Sequence, residues 1–155
     1  HCNRAINPNF VLNEKRYSGG EILLARSNFG CGSSREHAVW AIHDYGVKVI
    51  LASSFADIFF NNCFKNRIYP ITLPEVQHGC LMEDANNIES SLLTIDLDNQ
   101  KIIRKNGAKI EYEVDEFKKY CLLNGLDDIG LTLEDETNIS EFESRRSSQG
   151  GVLSI

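Results

Sequence analysis

Asn28-Phe29-Gly30-Cys31-Gly32-Ser33-Ser34-Arg35-Glu36-His37 separates a short apolar run, Glu21-Ile22-Leu23-Leu24-Ala25-Arg26, from a segment over Arg35 to Tyr45 whose apolar residues recur at helical spacing. Strand, glycine-bearing loop and helix in that order start an α/β unit. The loop also reads as an anion cradle. Gly30 and Gly32 remove side chains that would keep a ligand from the backbone. Ser33 and Ser34 fall at the mouth of a helix whose first N–H groups are unpaired and whose dipole is positive there. Arg35 adds a planar fork of donors suited to a carboxylate or phosphate. The same residues read equally well as a Ser-x-x-Glu capping box, with Ser33 on the Glu36 amide and Glu36 reaching back. Nucleotide motifs fit less well: the third glycine of the dinucleotide fingerprint is absent, and no Gly-Lys-Ser/Thr follows.

Working outward, Gly46 stops the first helix, and its apolar face is expected from Ala38, Trp40, Ala41 and Ile42. Val47 to Ala52 is a β-branched buried strand completing βαβ. Ser54 is the expected cap of a second helix from Phe55 to about Lys65, with Phe55, Ile58 and Phe59 as its core stripe. Ile68 to Leu73 makes a third strand, ended by Pro74. Glu75 to Ser91 reads as irregular, with a helical turn near Gly79 to Glu83. Leu92 to Leu97, Lys101 to Lys105 and Lys109 to Val114 alternate as a β-meander, turning at Asp98-Asn99 and Asn106-Gly107. Asp115 caps a helix from Glu116 to Leu123, and Thr132 opens an acidic helix to about Arg146. Upstream, residues 1 to 20 read as loop with an extended piece at Phe10 to Leu12. The fold class is α/β: a short parallel sheet from βαβ units plus an antiparallel meander. Residues 1–146 form one domain, with 147–155 as a flexible tail.

With 155 residues, 42% hydrophobic and 25% charged, the composition is that of a globular domain, and no apolar run reaches the roughly 20 residues of a membrane span. No sorting pattern is legible at either end, so the chain reads as cytoplasmic. Residues 1–82 carry 8 Lys/Arg against 6 Asp/Glu, whereas residues 83–155 carry 8 against 16. The anion-binding end is therefore the first half, and nucleic acid is not an expected partner. Cys2, Cys31, Cys63, Cys80 and Cys121 are odd in number and dispersed, which indicates neither a disulfide framework nor a metal site. Cys31, near a helix start and Arg35, is the one placed to be acidic and reactive, set against the preferred reading of a small packed residue.

Asn28 through Ala38, followed by Trp40-Ala41, closely resembles the signature of the small-subunit family of 3-isopropylmalate dehydratase (isopropylmalate isomerase), in the aconitase superfamily. The similarity continues through Asn9-Phe10-Val11-Leu12-Asn13, Asp44-Tyr45-Gly46, Ser54 to Phe59, Asn61-Asn62 and Pro70-Ile71, and loosens beyond Leu81. The resemblance implies an aconitase-like swivelling domain, layered β/β/α, in which Ser33 is the alkoxide base and Ser34, Arg35 and Gly32 bind substrate. It implies a hydro-lyase interconverting 2-isopropylmalate and 3-isopropylmalate in leucine biosynthesis. It further implies no cofactor and no metal on this chain, a 4Fe-4S cluster on a partner large subunit, and a family N-terminal segment with no counterpart here. The chemistry is consistent: a serine oxygen acts as a base only where positive potential favours its anion. His37 and His43 are weaker candidates for proton transfer, set against placement on the helix surface. Glu36 reads as a cap partner or an orienter of Arg35. Two alternatives stay open: the small subunit of a related isomerase acting on homoaconitate, citramalate or citrate, and a non-catalytic anion-binding or interaction module.

Overall fold

A computed structural model describes residue 7 and residues 10–87, 91–126 and 128–148. Three strands, β1 (Ile22–Leu24), β2 (Val49–Ala52) and β3 (Tyr69–Thr72), form a parallel sheet in that spatial order. They are joined by α1 (His37–Tyr45) and α2 (Asp57–Lys65). Leu24 pairs with Leu51 and Ala52 with Thr72, so the carboxyl ends of the strands share one edge. Consecutive crossovers of one hand place α1 and α2 on the same face of the sheet. There Val39, Phe59 and Cys63 pack on Val47, Ile50, Ala52 and Ile68. Leu51, Tyr69 and Ile71 point the other way, onto Leu81, Ile102, Ile110 and Tyr112. A sheet covered on both faces explains why Val47 to Ala52 is an unbroken apolar run with little alternation.

The second cover is an antiparallel sheet, β4 (Leu93–Asp96), β5 (Lys101–Arg104) and β6 (Lys109–Glu111), together with α3 (Glu75–Asn86). The layering is the β/β/α order expected. Both meander turns lie at the expected residues: Asp96 accepts from the Asn99 amide at 2.9 Å, and Asn106 from the Ala108 amide at 2.9 Å. The remaining helices are α4 (Glu116–Asn124), α5 (Asp128–Glu134) and α6 (Glu136–Ser148). Asp115 caps α4 as expected, accepting from the Lys118 amide at 3.0 Å.

Several expectations need correction. Phe10 to Leu12 is not extended; Val11–Asn13 is a 3-10 turn. The segment taken as irregular is the 12-residue helix α3, which buries only His78 and Leu81 and so shows almost no apolar periodicity. The single acidic helix is two, with Thr132 inside α5 and not at a cap, and α6 runs to Ser148, beyond the expected tail boundary. Residues 149–155 and Cys2 lie outside the described residues. On α1 the buried residue is Val39, whereas Trp40 is 45% exposed; on α2, Ile58 is 54% exposed while Phe59 is buried. Each face is set by what lies below the helix, which apolar content alone does not reveal. Gly46 ends α1 with φ 104°, the left-handed stop its position suggested.

The exit from β1 is fastened to α2. The Asn28 amide donates to Ser54 Oγ at 2.7 Å, the Phe29 amide to the Ser54 carbonyl at 3.0 Å, and the Ala56 amide to the Phe29 carbonyl at 2.9 Å. Ser54 is thus a tie for the loop, not the cap expected of it; the α2 cap position is Ala56, without a side-chain bond. The Phe29 ring meets Phe59 edge-on at 5.3 Å and Phe55 at 6.4 Å. Gly30, at φ 84°, lies so close to Phe59 that a Cβ would come within 2.2 Å of its ring.

Gly30→Ala should therefore cost about 2–4 kcal/mol, from clash and backbone strain together. Gly32→Ala, with no atom within 4 Å of the added carbon, should stay within about 0.5 kcal/mol. Urea unfolding of both variants checks the contrast. A second expectation concerns α3, whose Asp84 grips Arg104 of β5 through bonds of 2.6 and 2.9 Å. Hydrogen bonds from Arg104 hold the Asp84 carboxyl below its ordinary value of 3.8. A depressed folded pKa means that the stabilisation is present above about pH 4 and is lost as pH falls below 3.8. Asp84→Asn should lower stability at neutral pH by roughly 1 kcal/mol, screened as the pair is. It should also flatten the acid limb of a stability–pH profile below pH 3.8.

Candidate functional site

Past Gly30 the chain leaves the aromatic platform and faces solvent at the carboxyl edge of the parallel sheet, where ligands of open α/β sheets bind. Cys31, Gly32, Ser34 and Arg35 are exposed, and Ser33 is partly buried. The Arg35 amide donates to Ser33 Oγ at 3.1 Å, a tight local turn that aligns the hydroxyl with the backbone of the residue two positions on. The capping box does not form. Ser33 bonds the Arg35 amide and not that of Glu36, while the Glu36 carboxylate turns away and accepts from Asn66 Nδ2 at 2.8 Å. Helix α1 consequently starts two residues later than expected, at His37, with Glu36 as a cap already in helical backbone at φ −61° and ψ −25°.

This rearrangement leaves donors available. The Ala38 amide bonds the Arg35 carbonyl at 3.2 Å and the Val39 amide that of Glu36 at 2.9 Å, whereas the Glu36 and His37 amides have no acceptor among the described residues. The Arg35 guanidinium likewise has no ion pair or side-chain hydrogen bond among the described residues. An open helix start, a hydroxyl held by a backbone donor and a guanidinium without a partner among the described residues thus fall within residues 33–37, a set of groups that can take a small carboxylate. Neither loop packing nor backbone conformation requires glycine at position 32. All four expected binding and catalytic residues, Gly32 to Arg35, lie together.

The histidines are placed differently. His37 is exposed with its ring tilted against Trp40 at 4.6 Å, and His43 is exposed on the last turn of α1. Neither is hydrogen-bonded to Ser33. Two supporting residues escaped sequence reasoning. His78 of α3 is buried, with Nε2 2.7 Å from the Ala25 carbonyl, which fastens α3 to the end of β1 just before the loop. Asn66 bonds both Glu36 and the Asn62 carbonyl, each at 2.8 Å. His78 sits three residues before the apolar Leu81, a faint helical signal; Asn66 had no signal other than its place after α2.

Metal donors do not gather. Among the described residues no three of His, Cys, Asp and Glu come together, and Cys31, Cys63, Cys80 and Cys121 are unpaired. Burial pushes the Cys63 thiol up to about 12, which keeps it protonated. An iron–sulfur cluster needs adjacent thiolates, and this donor set does not fit one. Among the described residues no helix is long and apolar enough to cross a membrane.

Comparison with known proteins matches residues 2–76 to the aconitase C-terminal domain, and residues 128–149 to the C-terminal domain of the 3-isopropylmalate dehydratase small subunit. The 3-isopropylmalate dehydratase small subunit of Hahella chejuensis is 54% identical over 94% of this chain and 68% of its own length. That of Paramagnetospirillum magneticum is 56% identical over 94% of this chain and 73% of its own. A crystal structure of 3-isopropylmalate dehydratase (leuD) from Methanocaldococcus jannaschii superimposes with a TM-score of 0.60 at 30% identity, over 79% of this chain and 69% of that one. With relatives of this identity matched over two thirds or more of their length, the chain belongs to the 3-isopropylmalate dehydratase small subunit family, and its fold is that of the aconitase C-terminal domain.

Proposed function

We propose that this chain is the small subunit of a 3-isopropylmalate dehydratase, a hydro-lyase of leucine biosynthesis, in which Ser33 is the base and Arg35 the carboxylate anchor. The observation that carries this reading is an exposed Arg35, its guanidinium without a partner among the described residues, next to a Ser33 hydroxyl held by the Arg35 amide itself. Interconverting 2- and 3-isopropylmalate means removing a proton from carbon and hydroxide from its neighbour, then returning both with the positions exchanged. A serine hydroxyl becomes a useful base only when its anion is stabilised. The Arg35 amide, the positive end of α1 and the nearby guanidinium supply that potential. Arg35 grips a substrate carboxylate through two parallel bonds, placing the adjacent C–H within reach of Ser33 Oγ. Ser34 and the open backbone at Gly32 complete the grip, since a side chain at position 32 would stand in the carboxylate's way. The proton taken by Ser33 Oγ is returned from the same atom to the neighbouring carbon.

Removing hydroxide calls for a Lewis acid, supplied in this reading by a 4Fe-4S cluster on a large subunit. The chain's own residues bind, orient and move the proton. The open surface around Arg35 is suited to be one wall of a site that the partner closes, and in this reading the enzyme works in the cytoplasm with the rest of its pathway.

In a complex reconstituted with the large subunit, Ser33→Ala should lower kcat by roughly 10²-fold or more with KM little changed. The lost hydrogen bond should cost only about 1 kcal/mol of stability. Turnover close to wild type in a folded Ser33→Ala complex would remove Ser33 from the role of base. Arg35→Lys should reduce kcat/KM by roughly 10-fold or more while thermal unfolding stays unchanged, because a point charge cannot reproduce a bidentate grip. Without the large subunit, the chain should show neither turnover nor stoichiometric iron by metal analysis.

A further inference from the structure

The segment that carries Ser33 and Arg35 is strung between the two ends of a single helix. At its entry, Phe29 and Gly30 are fastened to the amino end of α2 through Ala56 and Phe59. At its exit, Glu36 is fastened to Asn66, the residue that ends α2. Asn66 is itself held tightly. Its amide bonds the Asn62 and Cys63 carbonyls at 3.2 and 3.0 Å, and both hydrogens of its side-chain Nδ2 are used, one on the Asn62 carbonyl and one on Glu36 Oε1, each at 2.8 Å. The side chain therefore has one orientation, and it presents a donor to Glu36 in a partly buried setting, where such a bond is less exposed to competition from water.

Between these two ties, Cys31 to Arg35 is mostly exposed, and the bond that shapes it from within runs from the Arg35 amide to Ser33 Oγ. Helix α1 remains docked without Glu36, because Val39 is wholly buried among the residues of the sheet. What Glu36 adds is the placing of the first turn of α1, one residue from Arg35. We propose that Glu36 and Asn66 form a positioning clamp that sets where Arg35 and Ser33 stand relative to α2, and hence how they meet the substrate. This rests on the catalytic reading of Ser33 and Arg35. A clamp loosened by an ångström disturbs catalysis far more than it disturbs folding.

The test uses the full chain, reconstituted with the large subunit for kinetics, and amide hydrogen exchange over residues 31–38 of the same chain, which needs no turnover. Glu36→Ala removes the acceptor; Asn66→Asp sets a carboxylate against a carboxylate. Each should lower kcat by roughly 10- to 100-fold, change KM less, and speed exchange over residues 31–38. Glu36→Gln is the conservative control: its side-chain carbonyl can still accept from Asn66 Nδ2, so the bond is kept without the charge. It should keep kcat within about 3-fold of wild type and retain slow exchange, because the acceptor at position 36 remains. Wild-type kcat and exchange in both Glu36→Ala and Asn66→Asp would overturn the clamp, and so would a Glu36→Gln variant no better than Glu36→Ala. If the wild-type complex does not turn over isopropylmalate but exchange follows the expected pattern across these variants, the clamp stands and the assigned activity falls.

Discussion

The close approach of the backbone at Gly30 to the ring of Phe59 is the constraint on which the rest of the site depends. No side chain fits between them, the backbone there lies in the left-handed region, and the Phe29 ring locks edge-on against the same aromatic. Three hydrogen bonds to Ser54 and Ala56 then join the exits of β1 and β2 into one unit. Because α2 also holds Phe59 in the core, the loop inherits the rigidity of the sheet without being buried itself. Exposed polar groups on a rigid support are suited to binding a small ligand, since ordering a mobile loop would oppose binding.

The two faces of the parallel sheet do different work. One carries α1 and α2 with the aromatic platform under the loop, and the other is closed by α3 and the meander, whose contribution near the site is indirect. His78 is where that second layer reaches the first: its ring bonds the Ala25 carbonyl at the point where β1 gives way to the loop. Farther away, Asp84 and Arg104 hold α3 to the meander. A chain of contacts thus runs from the antiparallel sheet through α3 to the base of the cradle.

The charge pattern follows this division. The loop lies in the weakly basic first half of the sequence, and the acidic excess is carried by the second. Among the described residues the thiols are dispersed, and burial keeps that of Cys63 protonated.

The loop motif by itself determined most of what matters chemically: which residues form the cradle, that a strand precedes it and a helix follows, and which family the chain resembles. Local spacing carries such information because helix starts, glycine turns and guanidinium chemistry act over a few residues. The βαβ order, the two meander turns and the Asp115 cap were legible for the same reason. What only the tertiary structure decided involves residues far apart in sequence. Ser33-Ser34-Arg35-Glu36 matches a capping box, yet Glu36 prefers the side-chain amide of Asn66, 30 positions away. Ser54 looks like a helix cap, yet its hydroxyl serves Asn28. Trp40 and Ile58 fit an apolar face but are turned outward, because the sheet beneath is filled by Val39 and Phe59. Helix α3 left almost no periodic trace, since it buries just two side chains and one of them is a histidine. Local patterns offer a polar group several partners of similar energy; packing selects among them, because only one choice leaves the core filled and its polar atoms paired.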